Sequence, residues 1–212
     1  MPAKAKAAPS SNGADAAAGP RVVSIPRPNI INVGIRVRGT APLITNRWSD
    51  KAKKEMLDKQ MKKAGTGREA KDPERDYEES LYKLPDGKFG FPSVAFKAAA
   101  IRAGKQLGLV MADRRTWFHV RGDMVEIEGT PQPREDMVRI QQTTDIRYRG
   151  EFPEWEALVP IELDETKMSV EQLVSLFAGA GFGVGVGEWR PEKNGQFGRF
   201  EVVEVVSLDN EE

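Results

Sequence analysis

The sequence predicts an α+β fold, an antiparallel sheet covered by helices on one face. Three observations predict it. Ile31, Val33, Ile35 and Val37 alternate with Asn32, Gly34, Arg36 and Arg38, the period of a half-buried strand. Ser169-Val170-Glu171-Gln172 is a capping box, with Met168 placed to staple against Leu173, so a helix opens there. The elements then follow one another as strand, helix, strands, helix, strand.

In order, the first strand ends at Gly39-Thr40-Ala41-Pro42. A lysine-rich helix capped by Ser49 is predicted to run to about Ala64, and Gly65 to Asp76 reads as a mobile polar loop. Pro85-Asp86-Gly87 marks a hairpin turn within Leu81 to Phe91. A helix from Val94 to Gln106 carries Val94, Ala98 and Ile101 on one side and Lys97, Arg102 and Lys105 reaching outward. Thr116–Arg121 and Met124–Glu128 are predicted to form a strand pair joined at Gly122-Asp123. Val138, Ile140, Ile146 and Tyr148 mark one face of an interrupted strand whose other face carries Arg139, Arg147 and Arg149. A long strand follows Pro153, with Trp155 in the core. The capped helix runs to about Ala178, and Phe200 to Val206 is the last strand. This order fits a ferredoxin-like or RRM-like sheet, with an insertion after the first strand and a glycine-rich loop before the last.

The chain has 212 residues, no Cys and one His. That excludes disulfides and argues against a Cys/His zinc site. No apolar run approaches the length of a membrane helix, so no membrane partner is expected. Residues 1–28 are rich in Ala, Pro, Ser and Gly and read as a disordered tail. Residues 29–208 read as a single domain with an insertion at about 46–90, and residues 209–212 as an acidic tail. Net charge is zero but unevenly placed. Lys97, Arg102, Lys105, Arg114, Arg115 and Arg121 face Asp113 alone, whereas the chain after Gly150 is strongly acidic. Such polarity suits an anionic partner on one side, or stacking of copies.

The densest signal is Gly179 to Phe200, GAGFGVGVGEWRPEKNGQFGRF. Glycine takes every second position to Gly187, beside Trp189, Arg190, Lys193 and Arg199. The spacing matches neither the dinucleotide fingerprint nor the phosphate loop of NTPases. Either the glycines (Gly183, Gly185 and Gly187 above all) let a ligand approach the backbone, or they mark a strand crossed closely by another element. On the first reading the cations hold phosphates and Trp189 stacks on a base. Lys97, Arg102, Lys105, Arg114 and Arg115 are expected to join Arg190, Lys193 and Arg199 in one patch. Arg139, Arg147 and Arg149, near no carboxylate but Asp145, add a second. The acidic residues from Asp72 to Glu79 read as a solvated charge run, so no metal site and no cofactor is expected. His119, between Phe118 and Val120, is the one candidate for catalysis, and a structural role is the commoner one for a histidine so placed.

The order helix, glycine-rich loop, final strand resembles the RAMP superfamily of CRISPR proteins. The residues that carry the resemblance are Gly181 to Gly187, Trp189-Arg190 and Gly195-Gln196-Phe197-Gly198-Arg199-Phe200. The insertion after the first strand looks most like the backbone subunits that line up along guide RNA. The resemblance covers roughly Ile30 to Val206. GTAPLITNRWS and GEFPEWEA also look similar to uncharacterised tailed-phage proteins. The resemblance implies a non-enzymatic binder of single-stranded RNA or DNA that forms homo-oligomers or a helical filament along the strand. It would act in phage nucleic-acid metabolism, in the bacterial host cytoplasm. The alternatives are a RAMP-like endoribonuclease using His119 and a phage structural or assembly protein.

Overall fold

A computed structural model describes residues 27–61, 71–105, 108, 111–140 and 143–208. Its elements are strands β1 Ile30–Gly39 and β2 Leu43–Thr45, helices α1 Asp50–Gln60 and α2 Pro73–Ser80, strand β3 Gly90–Pro92, helices α3 Ser93–Ala103 and α4 Met111–Trp117, strands β4 Phe118–Val120, β5 Met124–Glu126, β6 Gln132–Ile140, β7 Thr143–Phe152 and β8 Glu156–Asp164, helix α5 Val170–Gly183 and strand β9 Phe200–Ser207.

The central strand is β1. It pairs antiparallel with β8 on one side and β9 on the other, and β4 extends the sheet beyond β8, giving the order β4-β8-β1-β9. Reading only β1, α3, β4, β8, α5 and β9, the last strand lies beside the first and the first beside the third. That is consistent with a ferredoxin-like α+β fold. The alternation in β1 buries Val33, Ile35 and Val37 against the helices, facing Phe96, Leu173, Leu176 and Phe177. Each large side chain buried there contributes about 1.5–3 kcal/mol. Ala99, Ala100 and Ala103 keep α3 slim, and a Cβ on Gly179 would lie 3.5 Å from that of Ala103, so the two helices pack closely.

The opposite face of the sheet is a ladder of opposite charges. Arg38 Nε lies 2.7 Å from Glu156, Arg36 reaches Glu128 and Glu204, and Arg121 lies 3.8 Å from Glu162. RNA readers of this topology stack bases on aromatic residues of that face. Here its β1 and β8 positions hold Asn32, Gly34, Arg36, Arg38, Glu156, Leu158, Pro160 and Glu162, and no aromatic ring.

Four expectations need correction. The segment Gly65 to Asp76 is not all loop, because α2 begins at Pro73. The Asp72 carboxylate accepts from the Arg75 amide at 3.1 Å, and Glu74 and Asp76 lie in the first turn, where the helix dipole favours them. The strand pair expected over Thr116–Arg121 and Met124–Glu128 is not one: Thr116 and Trp117 end α4, β4 starts only at Phe118 and pairs with β8, and β5 pairs with β3. The helix expected to stop near Ala178 continues to Gly183, so the first glycines are helical and not a strand. The interrupted strand is a hairpin, β6 paired with β7 over nine residue pairs. The tails 1–26 and 209–212, and the segment 62–70, lie outside the described residues.

Candidate nucleic-acid interface

The glycines of the second half of the run hold the loop to itself and to the core. The amide of Val186 donates to the Gly198 carbonyl at 2.9 Å, and the Gly198 amide to Pro42 at 2.7 Å. The Glu188 amide donates to Ile44 at 3.0 Å and that of Phe197 to Trp189 at 3.1 Å. The loop is thereby stitched to the end of the β1–β2 turn and to β2. A Cβ on Gly181 would stand 1.9 Å from the Phe200 carbonyl oxygen, and one on Gly198 1.7 Å from that of Val186. The element that approaches the glycine backbone is therefore the protein's own. Gly185 has φ +70°, and a Cβ there would meet Pro191 at 2.7 Å, so Gly185→Val is expected to strain the fold as well as any binding. Gly185 and Gly187 nevertheless line a groove described below, while Gly183 closes α5.

The same loop brings two of the expected cations together. Arg102, on the last turn of α3, lies 2.9 Å from Glu192, and Arg190 lies 3.0 Å from the other oxygen of that carboxylate. Arg190 also donates to the Gly187 carbonyl at 3.0 Å. Two guanidinium groups thus share one carboxylate. Lys193 is exposed on the 3-10 turn Pro191–Lys193, and Arg199 is half-buried with its Nε donating to the Gln196 carbonyl. Lys105 and Arg115 are exposed beyond α3 and on α4. Trp189 is 41% exposed and holds φ +54°, a conformation that costs a residue other than glycine about 1–3 kcal/mol.

Arg114 and Arg149 cannot serve as expected. Arg114 is 1% exposed, runs across Gly104 and donates to the Ile101 carbonyl at 2.6 Å. Arg149 is 3% exposed and pairs with Asp136 at 3.1 Å. The hairpin register explains the second error. Asp136 opposes Arg147, and Arg139 opposes Thr144, so Arg139 lies on one face and Arg147 and Arg149 on the other. Asp145 is paired instead with Lys71. Arg139 and Arg147 are exposed on this hairpin, an element separate from the glycine loop.

His119 is exposed at the sheet edge, with its Nδ1 3.0 Å from Lys97 Nζ. Burial holds the Lys97 ammonium below the usual lysine value. An ammonium has only protons to offer, so Nδ1 accepts and a neutral ring carries its proton on Nε2. The nitrogen able to act as a base is already occupied. Among the described residues no three His, Cys, Asp or Glu groups could hold a metal ion, and no helix is long and apolar enough to cross a membrane.

A groove of about 220 Å³ opens between α3, β2 and the glycine loop. Arg102 and Arg190 flank it, and Ile44, Phe91 and Val186 form apolar lining. None of Ile44, Phe91 or Glu192 was singled out from the sequence for this site. Their only local signal was the Glu192 position two residues after Arg190.

No protein-family model matches the chain, and no curated protein matches it. Among solved structures the chain is similar to one in "Cryo-EM structure of the Type III-B Cmr-beta bound to cognate target RNA", with a TM-score of 0.45 and 9% sequence identity. The match covers 84% of this chain and 60% of that one.

Proposed function

We propose that the chain is a non-enzymatic binder of single-stranded nucleic acid whose strand crosses the α3 end and the glycine loop. The observation that carries this reading is the meeting of Arg102 and Arg190 on Glu192 beside an apolar groove, with Lys193 and Arg199 in the same loop. Arg102, Arg190, Lys193 and Arg199 outnumber Glu188 and Glu192, the carboxylates of the same loop and groove, so the cations are in excess there. A phosphate offers the two arginines on Glu192 the bidentate acceptor that a single shared carboxylate supplies only in part. Lys105 and Arg115 extend the cationic surface, and Arg139 and Arg147 offer further contacts on the hairpin. Residues 29–208 act as one RAMP-like domain with the insertion at about 46–90. Copies assemble side by side along the strand, in phage nucleic-acid metabolism.

Replacing Arg190, Lys193 and Arg199 together by Ala is expected to weaken binding alike for all sequences. Each phosphate contact on a single strand gives a log–log salt slope of about 0.7, so the slope should fall by roughly two units if all three touch phosphate. Replacing the exposed Lys54, Lys83 and Lys167 removes the same charge and should change it much less. Equal slopes for the two triple variants, read by anisotropy titration across salt, would assign the attraction to diffuse charge. An absence of salt-sensitive binding would favour an assembly role.

The endoribonuclease reading has the Lys97–His119 contact as its one structural support, and the direction of that hydrogen bond counts against it. Purified protein is expected to leave single-stranded RNA intact, and His119→Ala is expected to bind it as the unaltered chain does. Cleavage that disappears in His119→Ala would reverse the assignment.

A further inference from the structure

The groove has a second set of groups that the phosphate contacts do not use. Asn46, Tyr82 and Glu188 line it together with Arg102 and Arg190. Among the described residues, neither the Asn46 amide nor the Glu188 carboxylate has a side-chain hydrogen-bond partner, although both are half-buried. Their polar atoms keep contact with water, so a ligand that bonds to them replaces water at groups the protein leaves open. The Glu188 charge reaches into the groove. After burial, it is the next cause holding the Tyr82 hydroxyl above the usual tyrosine value. Tyr82 is fixed in turn by an edge-to-face contact with Phe91, ring centres 5.6 Å apart.

Size and chemistry together restrict the occupant. At about 220 Å³ the groove is smaller than the roughly 300–1,000 Å³ of sites for drug-sized ligands, and it suits one planar ring. A phosphate seated within the groove would meet the Glu188 carboxylate as well as the arginines, so the groove itself suits a neutral group better. The carboxylate accepts hydrogen bonds from amino groups, which cytosine, adenine and guanine carry and thymine and uracil lack.

We propose that this groove receives a single unstacked nucleobase, its amino-bearing edge on Glu188 and Asn46 and its phosphate on Arg102 and Arg190. The assignment rests on the nucleic-acid reading above and adds to it a base-sized pocket with a preference for amino-bearing bases. Bases splayed out of the stack and bonded along their edges are the usual targets of single-strand recognition.

The test uses the full chain and three fluorescent oligodeoxynucleotides of equal length, one of cytidine, one of thymidine and one of abasic sites, in anisotropy titrations at one salt concentration. The cytidine strand is expected to bind at least about fivefold tighter than the abasic strand, the lower end for one stacked base. Ala98→Phe, which fills the groove from α3, should bring the cytidine strand down to the abasic level and leave the salt slope unchanged. Glu188→Gln keeps the shape, reverses part of the donor preference and should narrow the gap between cytidine and thymidine. It also serves if Ala98→Phe fails to fold. Equal binding of all three strands, or unaltered cytidine preference in either folded variant, overturns the pocket while leaving the cationic surface standing. No binding of any strand overturns both.

Discussion

Gly198→Val is expected to destabilise the protein by about 4 kcal/mol or more, close to the whole stability of many domains. Three effects add. A β-branched residue would be held at φ +63°, worth about 1–3 kcal/mol. Its Cβ would stand 1.7 Å from the Val186 carbonyl oxygen, and that oxygen belongs to backbone, which cannot swing aside as a side-chain end can. The forced shift breaks two hydrogen bonds, Gly198 amide to Pro42 and Val186 amide to Gly198, each worth about 0.5–1.5 kcal/mol net. Gly87→Val is the control. It shares the positive φ, +86°, but a Cβ there meets nothing within 4 Å, so only the backbone strain remains. Urea unfolding of both variants separates the cases. If Gly198→Val unfolds within about 1 kcal/mol of Gly87→Val, the loop is not stitched to the core as its hydrogen bonds imply.

That prediction also shows where the sequence could be read and where it could not. The β1 alternation was legible because one face is buried and the other solvated, and β-period patterning records that directly. The Ser169 cap was legible because its partners are three residues apart, with the Gln172 amide 3.3 Å from the Ser169 hydroxyl and the Gln172 side chain returning to the Ser169 amide. The end of α5 was not legible. Glycine ordinarily ends a helix, but Gly181 stays helical because Phe200 of β9 passes over it, and that crossing is tertiary. The α2 cap at Asp72-Pro73 was present in the sequence and was hidden by the surrounding charge. The β6–β7 register was hidden for another reason. Between Ile140 and Thr143 the sequence carries none of the Gly, Asn or Asp signals of a tight turn, so the sequence pattern puts Arg139 on the face of Arg149.

The candidate site divides in the same way. Arg102 and Arg190 could be expected near one another only through the order of elements, since a loop leaving the second core helix lies by the end of the first. The burial of Arg114 could not be expected, because it depends on the space that Gly104 leaves on a neighbouring segment. Asn46, Tyr82 and Glu188 come from three segments and share no spacing. Only the fold brings them to one groove.

Asp136→Ala is expected to cost about 3–5 kcal/mol, for a reason opposite to that of Gly198→Val: it removes atoms and leaves a charge behind. The Arg149 side chain is 4% exposed and its partner Asp136 10%. Asp136 also holds Arg134 at 2.8 Å, and Arg134 reaches Glu151 at 3.0 Å. The Arg149 Nε is buried with no partner, so the cluster has no spare acceptor to take over when the carboxylate goes. Arg134 lies 4.7 Å from the centre of the Phe197 ring, so the cluster joins the base of the β6–β7 hairpin to the glycine loop. Loss of Asp136 should therefore loosen both elements, lowering the urea midpoint and weakening single-strand binding together. Asp136→Ala with Arg149→Met removes the stranded charge and should recover much of the stability, because a buried ion pair is commonly replaceable by apolar side chains of similar size. If the single variant loses less than about 1 kcal/mol, Arg149 finds water or another acceptor. If the double variant is no better than the single, the loss lies in packing and in Arg134, and the hairpin is held to the loop by Arg134 rather than by the buried pair.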